Sequence, residues 1–209
     1  MKCVMFLEAF LVNIERAQIS ESILKSIVLG LTGKNASGKG TVAEILKKNE
    51  FLYHSLSDSL RDELKILKKE ETRENLIEIG NNLREEGGPG VLADKLKPKL
   101  NPENNHIVDS IRNPLEVISL KQETRLLRFF LISVEADARL RYDRLCSRGR
   151  IGDADSWEKF IEQEKKEENN NDPSKQQLSK TMELADFNID NSGTFEDLEA
   201  QVNMIISSL

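Results

Sequence analysis

Nine residues, Gly33-Lys34-Asn35-Ala36-Ser37-Gly38-Lys39-Gly40-Thr41, constrain this chain more than any other stretch. An apolar run, Ile27-Val28-Leu29-Gly30-Leu31, precedes them, and a helix-like run, Val42 to Lys48, follows. Strand, glycine loop and helix in that order let backbone N–H groups turn toward one centre. The helix adds its positive N-terminal end there, and Lys39 adds a full charge. Polyphosphate is the guest that such a turn fits. A plain glycine connector is the competing reading, and the flanking strand and helix argue against it.

Gly33 to Lys39 satisfies the spacing G-x-x-x-x-G-K, but Gly40 stands where a Ser or Thr hydroxyl usually meets magnesium. The hydroxyl comes one residue later, at Thr41. The metal is therefore expected to rely more on phosphates and water. Gly33, Asn35, Ala36, Ser37, Gly38, Lys39, Gly40 and Thr41 are the expected ATP-binding residues.

At 209 residues the chain can form one sizeable α/β domain. Its formal net charge of −6 argues against sequence-independent wrapping of nucleic acid. No apolar run is long enough to span a bilayer. Cys3 and Cys146 lack metal or redox spacing and read as reduced thiols of a cytoplasmic protein. His54 and His106 are isolated in the sequence and read as structural. Glu8 interrupts the apolar stretch from Val4 to Ile14, and no cleavage site follows it, so a signal peptide is not expected. Residues 1–26 are read as an extension. It is either a helix packing on the core or on a second copy in a homodimer, or a loose tail.

Beyond the loop, strand-like and helix-like runs alternate. Strands are expected near Phe51–Leu56, Ile107–Asp109, Arg128–Val134 and Ala185–Asp190, with Ser57 or Asp58 capping the helix after the second. This pattern predicts an α/β fold, a three-layer α/β/α sandwich around a five-stranded parallel sheet, over residues 27–209. Two helical insertions, about 59–100 and about 149–180, interrupt it.

Arginines recur where such a sheet binds ligands, beyond its strand ends. Arg61 lies one turn into the helix after the second strand, and Arg112 lies just past the third. Arg141, Arg144 and Arg148 share one face of a later helix. Phosphoryl transfer spreads charge over the oxygens of the moving group, and cationic clamps neutralise it while fixing the line of attack. Arginine's planar fork meets two phosphate oxygens at once.

With these residues in view, Gly38-Lys39-Gly40-Thr41 resembles the G-K-G-T of P-loop nucleoside monophosphate kinases of the adenylate kinase type. Ser57-Asp58-Ser59-Leu60-Arg61 is similar to the segment whose arginine holds the acceptor phosphate. Asp109-Ser110-Ile111-Arg112-Asn113 is similar to D-G-x-P-R, and Arg144-Leu145-Cys146-Ser147-Arg148 to the R-L-x-x-R entrance of the lid. The resemblance implies a P-loop NTPase fold and transfer of the ATP γ-phosphoryl group to a nucleoside or deoxynucleoside monophosphate. It implies that Lys39, Arg112, Arg144 and Arg148 are catalytic, that Arg61 and Arg112 hold the acceptor, and that Thr41 and Asp109 hold Mg2+, largely through water; Arg84 and Asp58 are further candidates for the acceptor site, Asp58 being a helix cap or water ligand if the acceptor is a monophosphate. The stretch Gly80–Gly90, which contains Arg84, departs from adenylate kinase, and the lid has no zinc-binding cysteine pairs.

Gly30-Leu31-Thr32-Gly33 and Ala185-Asp186-Phe187-Asn188-Ile189-Asp190-Asn191-Ser192-Gly193 are similar instead to dephospho-coenzyme A kinase. That family phosphorylates a ribose hydroxyl, which would make Asp58 a general base and bring Asn191 and Gly193 near the donor adenine. A non-catalytic nucleotide-binding regulator is the third reading. No N-K-x-D motif supports a GTPase switch, and Ser110 after Asp109 argues against a motor ATPase.

Overall fold

The computed structural model describes residues 26–123, 127–149, 153–168, 172 and 175–209. The extension read over 1–26 lies outside these residues apart from Ser26, as do Cys3 and Arg150.

The first strand, β1 (Ile27–Thr32), leads through the glycine loop to α1 (Lys39–Lys48). There follow β2 (Leu52–Ser55), α2 (Ser57–Ile66), α3 (Arg73–Gly87), α4 (Val91–Leu96) and a 3-10 turn at Lys97–Lys99. The second half runs β3 (His106–Asp109), α5 (Pro114–Glu123), β4 (Arg128–Glu135), α6 (Ala138–Arg148), α7 (Trp157–Glu168), α8 (Leu178–Met182), β5 (Phe187–Asp190) and α9 (Phe195–Ser208).

The five strands lie in the order β2-β3-β1-β4-β5, and every neighbouring pair is parallel. Because side chains alternate along a strand, the sheet buries two faces. Leu29, Leu31, Ile107, Ile132, Val134 and Ile189 pack against Val42, Ile45 and Leu46 of α1 and Leu198, Val202 and Ile205 of α9. On the other face, Val28, Val108 and Leu131 join α2, α3, α4 and α5 through Leu60, Leu64, Ile79, Leu92, Ala93 and Val117. The helices between 59 and 100 therefore share the core of the sheet rather than standing apart from it.

Parallel pairing brings Thr32, Ser55, Asp109, Glu135 and Asp190 to one edge. The segments that follow them converge there. Leu145, Ala154 and Phe160 form a smaller buried cluster, with Tyr142, Trp157 and Ile161 around them. Trp157 meets Tyr142 edge-on, with ring centres 5.5 Å apart. Ala36 of the glycine loop touches this cluster, so lid and loop share a contact.

One expected cap is corrected. The N-cap of α2 is Leu56, not Ser57 or Asp58. The helix starts a residue earlier because Ser55 Oγ accepts the Ser57 N–H at 3.2 Å, while Asp58 reaches back to the Ser55 N–H at 3.3 Å. By contrast, Thr72 caps α3, and Thr194 with Asp197 forms a full capping box on α9.

Candidate nucleotide-binding site

The glycine loop is shaped by two positions that exclude side chains. Gly33 has φ +138°, and a Cβ there would lie 2.2 Å from the Val134 carbonyl oxygen. Gly38 has φ +100°, and a Cβ there would lie 1.9 Å from the Asn191 amide nitrogen. Asn191 Nδ2 donates to the Ser37 carbonyl at 2.8 Å, and its own N–H donates to Glu135 O at 2.8 Å. Asn191 thus braces the loop from beneath. Lys39 Nζ donates to the carbonyls of Gly33 and Lys34, both at 2.8 Å, which holds the ammonium inside the curve of the loop. Ser37 Oγ is fully buried and unpartnered.

Beside the loop opens a cavity of about 870 Å³. Asn35, Ala36, Gly38, Lys39, Gly40 and Thr41 form one end, and Arg61, Arg73, Arg112, Arg144 and Arg148 reach it from four other segments. Five arginines and one lysine against Glu71, Asp109 and Asp153 leave this basin net cationic in a chain whose net charge is −6. Each arginine is anchored differently. Arg144 donates from Nη2 to the Asn191 carbonyl at 2.8 Å, its Nη1 is buried and unpartnered, and burial lowers its pKa. Arg148 grips Asp153 at 2.8 and 2.7 Å and also donates to Asn35 Oδ1 at 3.0 Å. Arg61 lies between Asp58 at 2.9 Å and Glu71 at 2.7 Å. Arg141, on the same helix, turns away from the basin. It is 2% exposed and pairs with Glu164, so it binds the lid helix to α6.

Asp109, at the end of β3, lines the same basin and is 9% exposed. Its Oδ2 accepts from Tyr53 Oη at 3.0 Å and its Oδ1 from the Ser110 N–H at 2.6 Å. Burial and then the Asp109 charge hold the Tyr53 phenol protonated far above its ordinary range. Ser110 has φ +67°, a left-handed conformation that bends the chain sharply after the carboxylate.

Six expected residues do not line the basin: Gly33, Ser37, Asp58, Arg84, Asn191 and Gly193. Asp58 directs one oxygen to Arg61 and the other to the Ser55 N–H. Arg84 is buried at 2% exposure and donates from Nε and Nη2 to Glu116 Oε1 at 3.1 and 2.8 Å. Gly193 lies in the turn before α9, against Asp197.

Glu116 is the residue that sequence reasoning missed most clearly. It is fully buried, and its Oε2 accepts the N–H groups of Arg112 and Asn113 at 2.8 and 3.1 Å. One carboxylate therefore holds the side chain of Arg84 and the main chain of Arg112. The spacing Asn113-Pro114-Leu115-Glu116, a capping residue followed by an acid three places on, was a readable signal for it. Arg73 was also missed. A cation at the first position of a helix opposes the macrodipole, and that anomaly marks it as placed for something other than helix stability.

Magnesium suits these residues as an ion carried in with phosphate. Among the described residues no group of three or more His, Cys, Asp or Glu side chains could cage a metal. Both Asp109 oxygens already accept hydrogen bonds, so Asp109 would act through water, with the Thr41 hydroxyl also on the wall.

Fold and loop together define a P-loop NTPase whose architecture is that of small kinases. The chain belongs to the UPF0200 family. It is 32% identical over 189 residues to the UPF0200 protein of Pyrococcus furiosus, with 88% of this chain and 97% of the relative covered. It is 30% identical over 187 residues to that of Methanocaldococcus jannaschii, covering 88% and 90%. A family profile described as an AAA domain matches residues 29–172. Among solved structures, shikimate kinase from Bacteroides thetaiotaomicron superposes with a TM-score of 0.55 at 14% identity, covering 88% of this chain and 99% of that one. A sugar kinase from Janibacter superposes with a TM-score of 0.51 at 11% identity, covering 87% and 95%. These two likenesses show the fold alone. Among the described residues no helix is long and apolar enough to cross a membrane.

Proposed function

We propose that this protein transfers the γ-phosphoryl group of ATP to a nucleoside or deoxynucleoside monophosphate. The observation that carries the reading is the single basin in which the glycine loop faces arginines from α2, α3, the β3–α5 turn and α6. A donor needs only the loop and its lysine. A ring of further cations suits a second anionic molecule brought end-on to the first.

In this reading the loop amides and Lys39 bind the donor β- and γ-phosphates. Arg144 and Arg148 approach the donor tail from the lid entrance, while Arg61, Arg73 and Arg112 hold the acceptor phosphate. Magnesium bound with ATP would supply charge neutralisation, and Asp109 and the Thr41 hydroxyl would hold it through water, with Tyr53 fixing Asp109 by its hydrogen bond. A phosphate acceptor needs no general base, and Asp58 is engaged by Arg61 at 2.9 Å rather than presented to the basin. That arrangement favours a monophosphate over the ribose hydroxyl of dephospho-coenzyme A.

The test is to incubate the full chain with ATP, magnesium and, separately, each common nucleoside monophosphate and dephospho-coenzyme A. ADP and a nucleoside diphosphate formed together support the proposal. Product from dephospho-coenzyme A alone overturns it in favour of the hydroxyl kinase. ATP binding with no acceptor-dependent ADP overturns it in favour of a regulator.

A further inference from the structure

The turn between β3 and α5 brings Arg112 to the basin and lies outside any strand or helix. Its main chain is nevertheless partnered at every polar group from Ile111 to Asn113. The Ile111 N–H donates to the Leu31 carbonyl at 3.2 Å, and the Ile111 carbonyl accepts from Thr32 Oγ1 at 2.9 Å. The Arg112 and Asn113 N–H groups both go to Glu116 Oε2, and the Asn113 carbonyl accepts the Glu116 N–H at 3.0 Å. The Arg112 carbonyl accepts the Gln177 N–H at 3.0 Å. The end of β1, the first turn of α5 and the segment 175–177 after α7 therefore hold this turn together.

Asn113 makes a second tie to that last segment. It is 1% exposed, its Oδ1 accepts the Leu115 N–H at 2.9 Å, and its Nδ2 donates to the Lys175 carbonyl at 3.0 Å. One orientation of the amide serves both bonds, and an amide offers acceptor and donor side by side. Capping α5 needs only the oxygen, which serine or threonine would also supply. The nitrogen serves something beyond the helix. It fastens the Arg112 turn to the chain that returns from the lid. That chain is joined on its other side to the donor end of the basin. Glu164 of α7 pairs with Arg141 of α6, and α6 also carries Arg144 and Arg148, the latter bonded to Asn35 of the glycine loop. Asn113 itself is not on the basin wall.

We infer that Asn113 is a positioning residue for phosphoryl transfer. It acts through Arg112, by pinning the Arg112 turn to the chain that returns from the lid, so that donor-side and acceptor-side arginines share one frame. This role rests on the phosphotransfer proposed above and requires no contact between Asn113 and either substrate. A displacement on the order of 1 Å at a group that aims a phosphate costs about a hundredfold in rate, which is why such a turn is held from several directions.

The test is a double-variant cycle read by binding. The full chain is titrated calorimetrically with the ATP analogue AMP-PNP and magnesium, and separately with AMP, GMP, CMP, UMP and thymidine monophosphate. Asn113→Ser keeps an oxygen for the cap and withdraws the donor. It is expected to weaken the best-bound monophosphate by about tenfold and to leave AMP-PNP affinity within about twofold of the parent. In the Arg112→Ala background the same change is expected to have no further effect on the monophosphate, because the group it aims is gone. Turnover is expected to show the same split, with a raised KM for the monophosphate and an unchanged KM for ATP. If melting shows that serine leaves the chain unfolded, Asn113→Thr takes its place in the cycle. Equal losses with and without the Arg112 side chain, or a parallel loss of AMP-PNP affinity, overturn the role and leave Asn113 a purely structural residue. Failure of the parent to bind any of these monophosphates overturns the acceptor reading itself, and the positioning role falls with it.

Discussion

Arg148 Nη2 and Asn35 Oδ1 lie 3.0 Å apart, a hydrogen bond that ties the entrance of the lid to the phosphate loop. The same guanidinium grips Asp153 through two bonds. Lysine can keep the charge but not this three-way geometry. Arg148→Lys is expected to lower kcat by about tenfold or more with little change in melting temperature, measured by coupled ADP release and thermal unfolding. Unchanged kcat would detach the lid arginine from the reaction.

Lys39 sits inside the loop on two carbonyls, where its charge serves anion binding more than packing. Lys39→Met is expected to reduce turnover by about a hundredfold or more while circular dichroism and melting temperature stay near those of the parent. A near-normal rate would remove the loop from the mechanism.

Glu116 joins Arg84 to the backbone of Arg112 with no water access. Glu116→Ala strands a buried guanidinium and is expected to cost about 3–5 kcal/mol in urea unfolding. Replacing the pair together, Arg84→Met with Glu116→Leu, is expected to recover much of that loss. A double variant no better than Glu116→Ala would mean that the bonds to the Arg112 and Asn113 amides, not the ion pair, dominate.

His54 and His106, far apart in the chain, share a hydrogen bond of 3.0 Å, and His106 Nε2 lies 2.8 Å from the Asn101 carbonyl. The contacts are met together with His54 Nε2 donating to His106 Nδ1 and His106 Nε2 donating to the Asn101 carbonyl. Burial first, then the charge of His106 and that of Lys99, lowers the pKa of His54 from 6.5. The unfolded chain therefore takes up a proton near pH 6.5 that the folded chain refuses. Its contribution to stability is full above about pH 6.5 and is lost as pH falls through the lower folded value. Unfolding midpoints between pH 8 and 5.5 should show this slope in the parent and a flatter one in His54→Gln. Identical slopes would assign the acid sensitivity elsewhere.

Much of this architecture was legible in the sequence, because local and global signals agreed. Gly33 and Gly38 announced the loop, and the apolar runs Ile27–Leu31 and Arg128–Val134 fall within β1 and β4. What could not be read was which arginine faces what. Arg141, Arg144 and Arg148 share a stripe on α6, yet Arg141 is spent on Glu164 while the other two reach the basin. That choice is made by Glu164 of α7, 23 residues on, and no spacing within α6 encodes it. The role of Asn191 was likewise hidden. Its amide fits beneath Gly38 and fixes the loop, a contact that no local spacing encodes.

The bracing of the loop by Asn191 makes the phosphate motif depend on a distant part of the chain. The glycine turn and the side chain that closes its underside are 154 residues apart in the chain, and Asn191 stands just past β5. A chain that lacks the segment after β5 keeps the full phosphate motif and has no floor under it.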